Sequence, residues 1–174
     1  MKKILLITIL LFSLLYLLSS NKASAIKIPD EAIRIRVIAN SNSPYDQSMK
    51  MKVSDNIQKE MYTLLIDAKS INEGRKIIKN NIDNINNNVK VTLQENNYQI
   101  PYHISFGQNY FPEKIYKGIK YKEGYYESLV ITLGKGEGDN WWCVLFPPLC
   151  LLEAEESDDV EYQIFIKELI NKYF

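Results

Sequence analysis

The segment GKGEGDNWWCVLFPPLC, Gly134–Cys150, holds both tryptophans, both cysteines and a Pro-Pro pair in one apolar block behind a glycine-rich loop. Such a block is costly on a free surface, so it belongs to a core or to an interface. In an extended strand, successive side chains point to opposite faces. Two sets are therefore predicted on opposite faces, Trp141, Cys143 and Leu145 on one and Trp142, Val144 and Phe146 on the other. Both faces are apolar, so the strand lies between two layers or keeps one face for a partner.

The loop Gly134–Gly138 has three glycines at alternate positions. Phosphate-binding loops of this kind lead directly into a helix, whose N-terminus binds the anion. Here a strand-like run follows, and Glu137 and Asp139 would repel phosphate. The loop instead predicts a hairpin between a strand at Leu129–Leu133 and a strand at Trp141–Phe146.

Upstream of this block, strand and helix patterns follow one another. Ile33–Ala39 alternates apolar residues with Arg34 and Arg36, which predicts a strand with one dry face. A turn follows, and Ser43 with Pro44 predicts the start of a helix that ends at about Ile66.

A second helical stretch begins at a capping box formed by Ser70 and Glu73. Its asparagine cluster, Asn80–Asn88, predicts a break into two shorter helices. Period-two patterns then predict a strand over Ile100–Phe106 and a short one at Lys114–Tyr116. The tail, Val160–Phe174, predicts a short strand that runs into a terminal helix. The fold class expected is α+β, a mainly antiparallel sheet with two or three helices packed on one face.

The first residues resemble an export signal. Lys2 and Lys3 precede an apolar run, Ile4–Leu18, and Ala23–Ala25 is a small-residue cleavage site. The expected organisation is a signal peptide over residues 1–25 and a single α+β signalling domain over residues 26–174. An uncleaved membrane anchor is the alternative.

The chain has 21 basic and 21 acidic residues, and Lys2, Lys3 and Lys22 lie in the signal segment. Residues 26–174 thus keep 18 basic against 21 acidic residues, a formal charge of −3. A mildly acidic domain argues against nucleic acid or anionic lipid as the main partner.

Cys143 and Cys150 are in a chain that is expected to be exported, where a disulfide is permitted. A straight strand would hold them too far apart, and Pro147-Pro148 could reverse the chain and bring them together. The two alternatives are a disulfide and a pair of buried thiols.

Catalysis by a cysteine hydrolase would need Cys143 or Cys150 beside His103, the only histidine. Cys143 lies in an apolar run. Apolar surroundings raise the pKa of a thiol and make it a poorer nucleophile. One histidine and two cysteines lack a metal-ligand spacing, so no metal and no cofactor is expected.

Three segments resemble the stage II sporulation protein R family. The strongest is Gly134, Gly136 and Gly138 followed by Asn140–Cys150. The others are Ile33–Ser41 and a middle block, and the tail VEYQIFIKELI is also similar. The middle block consists of Phe111, Pro112, Lys114 and Tyr116, with Gly124, Tyr126 and Glu127. The chain departs from the family pattern at Asn42, where we expect an acid, and in a short acidic spacer before the tail.

The resemblance implies a role outside catalysis. Proteins of this family are exported from the forespore into the space between the two sporulation membranes. They are needed there to activate a membrane-embedded aspartic protease of the mother cell, which cleaves the sigma-E precursor. The expected function is thus that of a signalling ligand and not of an enzyme; the alternatives are the cysteine hydrolase and a passive spore-envelope protein.

The glycine loop and one face of the following strand are the expected partner contact, with two arginines as lesser candidates. The residues are Gly136, Gly138, Asn140, Trp141, Trp142, Phe146, Arg34 and Arg36. The arginines would bind a carboxylate of the partner. Their alternative role is structural.

Overall fold

The structure, a computed structural model, describes residues 31–116, 119–149, 168 and 170–173. The predicted signal peptide lies outside the described residues. The elements in chain order are β1 (Ile33–Ile38), α1 (Pro44–Leu65), α2 (Ile71–Asn80), α3 (Ile82–Glu95), β2 (Tyr102–Phe111), β3 (Lys114–Tyr116), β4 (Ile119–Tyr121), β5 (Gly124–Leu133) and β6 (Asn140–Phe146). The α+β class is confirmed. Among the described residues, no helix is long and apolar enough to cross a membrane.

The main sheet has four strands in the order β2-β5-β1-β6. β1 runs parallel to β5 and antiparallel to β6, and β2 runs antiparallel to β5. The sheet is therefore mixed, although most of its pairs are antiparallel. The expected hairpin between β5 and β6 is wrong, because β1 lies between them and the glycine loop crosses the end of β1.

The predicted dry face of β1 is confirmed, but the face that carries the arginines is less exposed than its charges suggest. Ile33, Ile35 and Val37 are fully buried against the helices. Arg34, which points to the opposite face, is only 3% exposed. A strand with a neighbour on each side therefore carries Arg34 into the interior, whereas Arg36 stays partly exposed.

The helices follow their sequence signals. The side chain of Ser43 accepts a hydrogen bond from the backbone N–H of Asp46 and caps α1. The predicted break falls at Asn81, between α2 and α3. Asn81 Nδ2 donates to the carbonyl of Ile77 at 2.8 Å, so its side chain competes for a helical acceptor where the helix ends. All three helices contribute to one core on one face of the sheet, as predicted.

A register shift in β6 changes which way its last residues point. Val144 lies opposite Arg34, and Phe146 lies opposite Ile33, so Leu145 is the extra residue of a bulge. Phe146 consequently joins the helix-facing core, where it is fully buried. Strict alternation predicted the opposite face for Phe146, and the bulge makes that prediction wrong.

The C-terminal residues return to this core. Residues 168 and 170–173 are helical, which agrees with the predicted terminal helix. The ring of Tyr173 packs on that of Phe146, with centroids 4.9 Å apart. The strand predicted just before this helix lies outside the described residues.

Candidate functional site

The glycine loop is fastened to the turn between β1 and α1. Gly138 N–H donates to the carbonyl of Ala39 at 2.9 Å, and Glu137 N–H donates to that of Asn40 at 3.2 Å. The side chain of Asn42 accepts from the N–H of Asp139 at 2.6 Å. Two backbone segments lie side by side at this point, which leaves little room for side chains between them.

This close approach explains the glycines. A Cβ added at Gly138 would lie 2.3 Å from the carbonyl oxygen of Ser41. One added at Gly136, which has a φ of +66°, would lie 2.6 Å from Cγ2 of Thr132. Both predicted contact glycines thus have a structural reason to be glycine. No helix follows the loop, so the observed geometry agrees with the argument against phosphate binding.

A buried carboxylate holds the same corner together. Asp46, 7% exposed, accepts hydrogen bonds from Asn40 Nδ2 at 2.9 Å and Ser41 Oγ at 2.5 Å. The hydroxyl of Tyr98, beyond the end of α3, also donates to it at 2.5 Å. These bonds, led by that from Ser41, lower the pKa of Asp46 to about 2. Local sequence identifies Asp46 only as an acid three residues after Ser43, since nothing local indicates the distant Tyr98.

Asp46→Asn is expected to lower the free energy of unfolding by about 2 kcal/mol at pH 7, because a shift of nearly two pKa units is worth about that much. A depressed carboxyl pKa stabilises the fold above the unfolded value of about 3.9. The difference between wild type and variant should therefore shrink as pH falls from about 4 towards 2. Urea unfolding at a series of pH values, followed by circular dichroism, measures this difference in the free energy of unfolding.

The control is Asp55→Asn on the exposed side of the same helix, where we expect a change below about 0.5 kcal/mol at any pH. A destabilisation by Asp46→Asn that stays constant down to pH 2 would contradict the proposed charge-assisted network.

The two tryptophans point to opposite sides of β6, as predicted. Trp141 lies opposite Val37 on the helix side, and Trp142 lies opposite Arg36 on the outer side. Both are half-buried. Of the strands that the structure describes, β6 is at an edge of the sheet next to β1 alone.

The two arginines sit among aromatic rings on the outer face. The guanidinium carbon of Arg34 lies 3.3 Å from the ring centre of Tyr126, and that of Arg36 lies 5.3 Å from the ring centre of Phe111. Burial lowers the pKa of Arg36. Stacking on aromatic faces stabilises these cations in place of full hydration. Arg34 is therefore packed in the protein interior, and its contact with a partner stays a prediction.

A pocket of about 330 Å³ straddles the edge of β6. It is lined by Arg34, Met51, Phe111, Lys114, Tyr121, Asn140, Trp141, Trp142, Cys143, Val144 and Leu149. Among the described residues that line it, two are cations, Arg34 and Lys114. Four predicted site residues meet in this pocket, namely Arg34, Asn140, Trp141 and Trp142. Arg36, the loop glycines and Phe146 do not line it.

Trp142 and Lys114 lie next to each other in this pocket. The Nε1–H of Trp142 is buried and has no acceptor among the residues that the structure describes. The ammonium of Lys114 lies 5.1 Å from the centre of the Trp142 ring. Sequence reasoning missed Lys114 as a site residue, because no local pattern places β3 beside β6.

Cys143 and His103 do not form a catalytic pair. His103 is exposed on β2 and Cys143 is on β6, at opposite edges of the sheet, so three strand spacings of about 5 Å separate their strands. Cys143 is moreover disulfide-bonded, and a disulfide sulfur is not a thiolate nucleophile. The hydrolase alternative that used this pair is wrong. Cys150, the only other cysteine in the sequence, lies outside the described residues, and its pairing with Cys143 stays a prediction.

Within the described part of the chain, no group of three or more histidine, cysteine, aspartate or glutamate side chains is placed to hold a metal ion.

Comparison with known proteins gives the family. A family model described as stage II sporulation protein R matches residues 29–156. The chain belongs to the stage II sporulation protein R family. Stage II sporulation protein R of Bacillus subtilis (strain 168) is 41% identical over 136 residues, which are 78% of this chain and 61% of that protein. This chain thus spans about three fifths of that relative's length. No solved structure matches.

Membership confirms the resemblance noted in the sequence and supports a role in sporulation. The matched region runs from just before β1 to just beyond the end of the apolar block, so it contains the glycine loop, the Asp46 corner and the pocket beside β6.

Proposed function

We propose that this stage II sporulation protein R family member is an exported signalling ligand. It acts in the space between the forespore and mother-cell membranes. There it binds and activates the membrane-embedded aspartic protease that cleaves the sigma-E precursor. The observation that carries the proposal is a family match covering the whole described sheet, in a domain that offers a tryptophan-lined pocket at a strand edge.

The geometry favours a binding surface over a reaction centre. Trp141 and Trp142 are half-buried, which leaves indole surface for a partner. Tryptophan and arginine are the side chains most often found at the energetic centre of protein interfaces. The cysteine that the hydrolase alternative required as a nucleophile is oxidised.

Activation by binding sets an energetic condition. A ligand shifts a conformational equilibrium only by its difference in affinity for the two states. The protein must therefore bind the active arrangement of the protease more tightly than the inactive one. A factor of about one hundred, or roughly 2.7 kcal/mol, would change a protease that is 1% active into one that is about half active.

His103→Ala tests the ligand proposal against the hydrolase. His103 is exposed and lies away from the β6 edge, so a ligand loses nothing with this change. In a sporulating host deleted for the gene, we expect the variant to restore sigma-E precursor cleavage to the wild-type level. An immunoblot of the precursor over time measures it.

Two other outcomes would contradict the proposal. Loss of cleavage in the His103→Ala strain, with the variant protein present at normal amounts, would favour a histidine-dependent reaction. Normal cleavage in the uncomplemented deletion strain would favour a passive spore-envelope protein.

A further inference from the structure

The long hairpin formed by β2 and β5 ends in a basic tip. Residues 112–124, which connect the two strands and include β3 and β4, contain four lysines and two glutamates, a formal charge of +2. Residues 26–174 as a whole carry −3, so the tip has the opposite sign from the rest of the domain, which carries −5. Ile115 in the tip is 68% exposed, and Lys122 is also exposed. Positive charge beside an exposed aliphatic side chain indicates a contact surface.

Two exposed tyrosines lie where the tip joins the strands. Tyr110 lies opposite Tyr125, and their rings meet edge to face with centroids 5.7 Å apart. They are 47% and 73% exposed, whereas the next residue of each strand, Phe111 or Tyr126, is buried on the other face of the hairpin. The hydroxyl of Tyr110 donates to Glu123 at 3.1 Å, which holds the ring in place. Tyrosine rings with an apolar body and a polar end are enriched where a membrane meets water.

The topology places this tip at the end of the sheet where the chain arrives from its N-terminus. β1 is parallel to β5, with Arg34 opposite Ser128. Tyr125 precedes Ser128 by three residues, so β1 begins at the same end of the sheet as the tip. Twelve residues, 19–30, connect the described chain to the apolar run at residues 4–18, and they span at most about 40 Å. The tip is therefore at the end of the sheet that follows the segment expected to enter a membrane.

We propose that the hairpin tip and the Tyr110–Tyr125 pair lie on an anionic lipid surface, that of the membrane across which the chain is exported. The lysines contact the headgroups, and Ile115 and the two tyrosine rings enter the boundary between headgroups and acyl chains. Because the domain is acidic overall, lipid is a second and weaker partner that orients the domain, and the receptor remains the main one. This inference rests on the proposed function, since export brings the domain to that membrane.

A contact at this end determines which end of the domain faces the receptor. The glycine loop and the start of α1 lie at the other end of β1, where Gly138 donates to the carbonyl of Ala39. With the tip on the exporting membrane, the glycine loop points across the intermembrane space, towards the membrane that holds the protease. Each lysine near an anionic surface contributes about 1 kcal/mol, so the tip binds lipid weakly and reversibly.

Tryptophans placed at the two ends of the sheet measure this orientation. Tyr125→Trp adds an indole beside the tip, and Tyr45→Trp adds one at a 57% exposed site near the start of α1, at the opposite end. Each full-length variant is reconstituted into vesicles of phosphatidylglycerol and phosphatidylcholine whose acyl chains carry bromine, which quenches tryptophan fluorescence on contact. The signal of the wild-type protein, which has two tryptophans, is subtracted. We expect the added indole to lose about half of its emission or more at position 125, and less than about a tenth at position 45.

The charged and the apolar parts of the contact are tested separately. In brominated vesicles of phosphatidylcholine alone, quenching at position 125 should fall at least about twofold, because the attraction of the lysines is lost. Adding Ile115→Ser and Lys122→Gln to the Tyr125→Trp variant should lower the quenching by a similar factor. The matched control adds Val91→Ser and Lys90→Gln, an exposed aliphatic residue and an exposed lysine on α3, and should leave the quenching unchanged.

Three outcomes would overturn the inference. One is equal quenching at positions 125 and 45, which would mean that the domain has no preferred orientation. Another is quenching at position 125 that is the same with and without phosphatidylglycerol. The third is no quenching at position 125, which would leave the tip to the receptor or to another part of this chain.

The fate of the proposed function is measured separately. Normal precursor cleavage in the gene-deletion strain would remove the signalling role and leave the quenching as it is. Cleavage that depends on the protein, together with no quenching at position 125, would keep the signalling role and remove the lipid contact.

Discussion

Replacing Gly138 by alanine is expected to lower the free energy of unfolding by about 3 kcal/mol, the upper range for a forced steric insertion. The new Cβ would lie 2.3 Å from the carbonyl oxygen of Ser41 and 2.6 Å from its carbonyl carbon. Both are backbone atoms, so no side-chain rotation relieves the contact. Relief requires the loop to move away from β1, which breaks the Gly138 N–H bond to Ala39.

The effect should extend into β6 and the pocket, because β6 begins two residues after Gly138. Urea unfolding gives the stability change, and tryptophan fluorescence of the folded variant reports whether Trp141 and Trp142 have become more exposed. Gly107→Ala is the matched control. A Cβ at Gly107 meets nothing within 4 Å, so its free energy of unfolding should change by less than about 1 kcal/mol.

The same pair of variants decides what the loop glycines do. If Gly138→Ala leaves stability unchanged but abolishes sigma-E precursor cleavage, the loop contacts the receptor directly, and the steric explanation for this glycine is contradicted. We expect instead that any loss of cleavage follows the loss of folded protein.

Local patterns predicted the parts of this fold that local physics determines. The cap at Ser43 and the break at the asparagine cluster both depend on side chains within four residues of the backbone they bind. The alternation of Trp141 and Trp142 depends on the strand period alone. Each of these predictions needed no knowledge of the rest of the chain.

Strand pairing required information from farther along the chain. A glycine loop between two apolar strands is typical of a hairpin. In the folded chain, however, β1 lies between β5 and β6, although it comes about a hundred residues earlier in the sequence. The bond of Asp46 to Tyr98 likewise joins residues that are 52 positions apart. In both cases the structure is determined by contacts between distant segments, which the residues of a local turn do not reveal.

The tryptophans of the candidate site could be predicted from the sequence, but Lys114 could not, for a similar reason. Its tryptophans stood out because two adjacent indoles in an apolar run are rare and energetically important. Its second cation, Lys114, comes from a three-residue strand that reaches the β6 edge only in the folded chain. The position of Lys114 over the ring of Trp142 therefore became visible only when β3 and β6 were placed together.

Phe146→Ala is expected to lower the free energy of unfolding by about 4 kcal/mol, the usual range for emptying a buried phenylalanine site. The ring has no exposed surface and packs on Tyr173 of the C-terminal helix. A Cβ at Gly74 would lie 3.1 Å from Phe146 Cδ2, so the backbone of α2 packs closely against the ring. Helices and backbone on several sides cannot collapse into the space that the ring leaves.

This prediction also tests whether Phe146 contacts a partner, as its place in the apolar block suggested. Because the β6 bulge turns Phe146 into the core, Phe146→Leu should cost only about 1 kcal/mol and leave precursor cleavage intact. Tyr125→Ala, at a 73% exposed site, is the control for removing an aromatic ring from the surface and should cost less than about 1 kcal/mol.

Urea unfolding measures the role of Phe146 in core packing, and the precursor immunoblot measures any role in contacting a partner. A stable Phe146→Leu protein that fails to support cleavage would make Phe146 a receptor contact, which requires the end of β6 to open when the receptor binds.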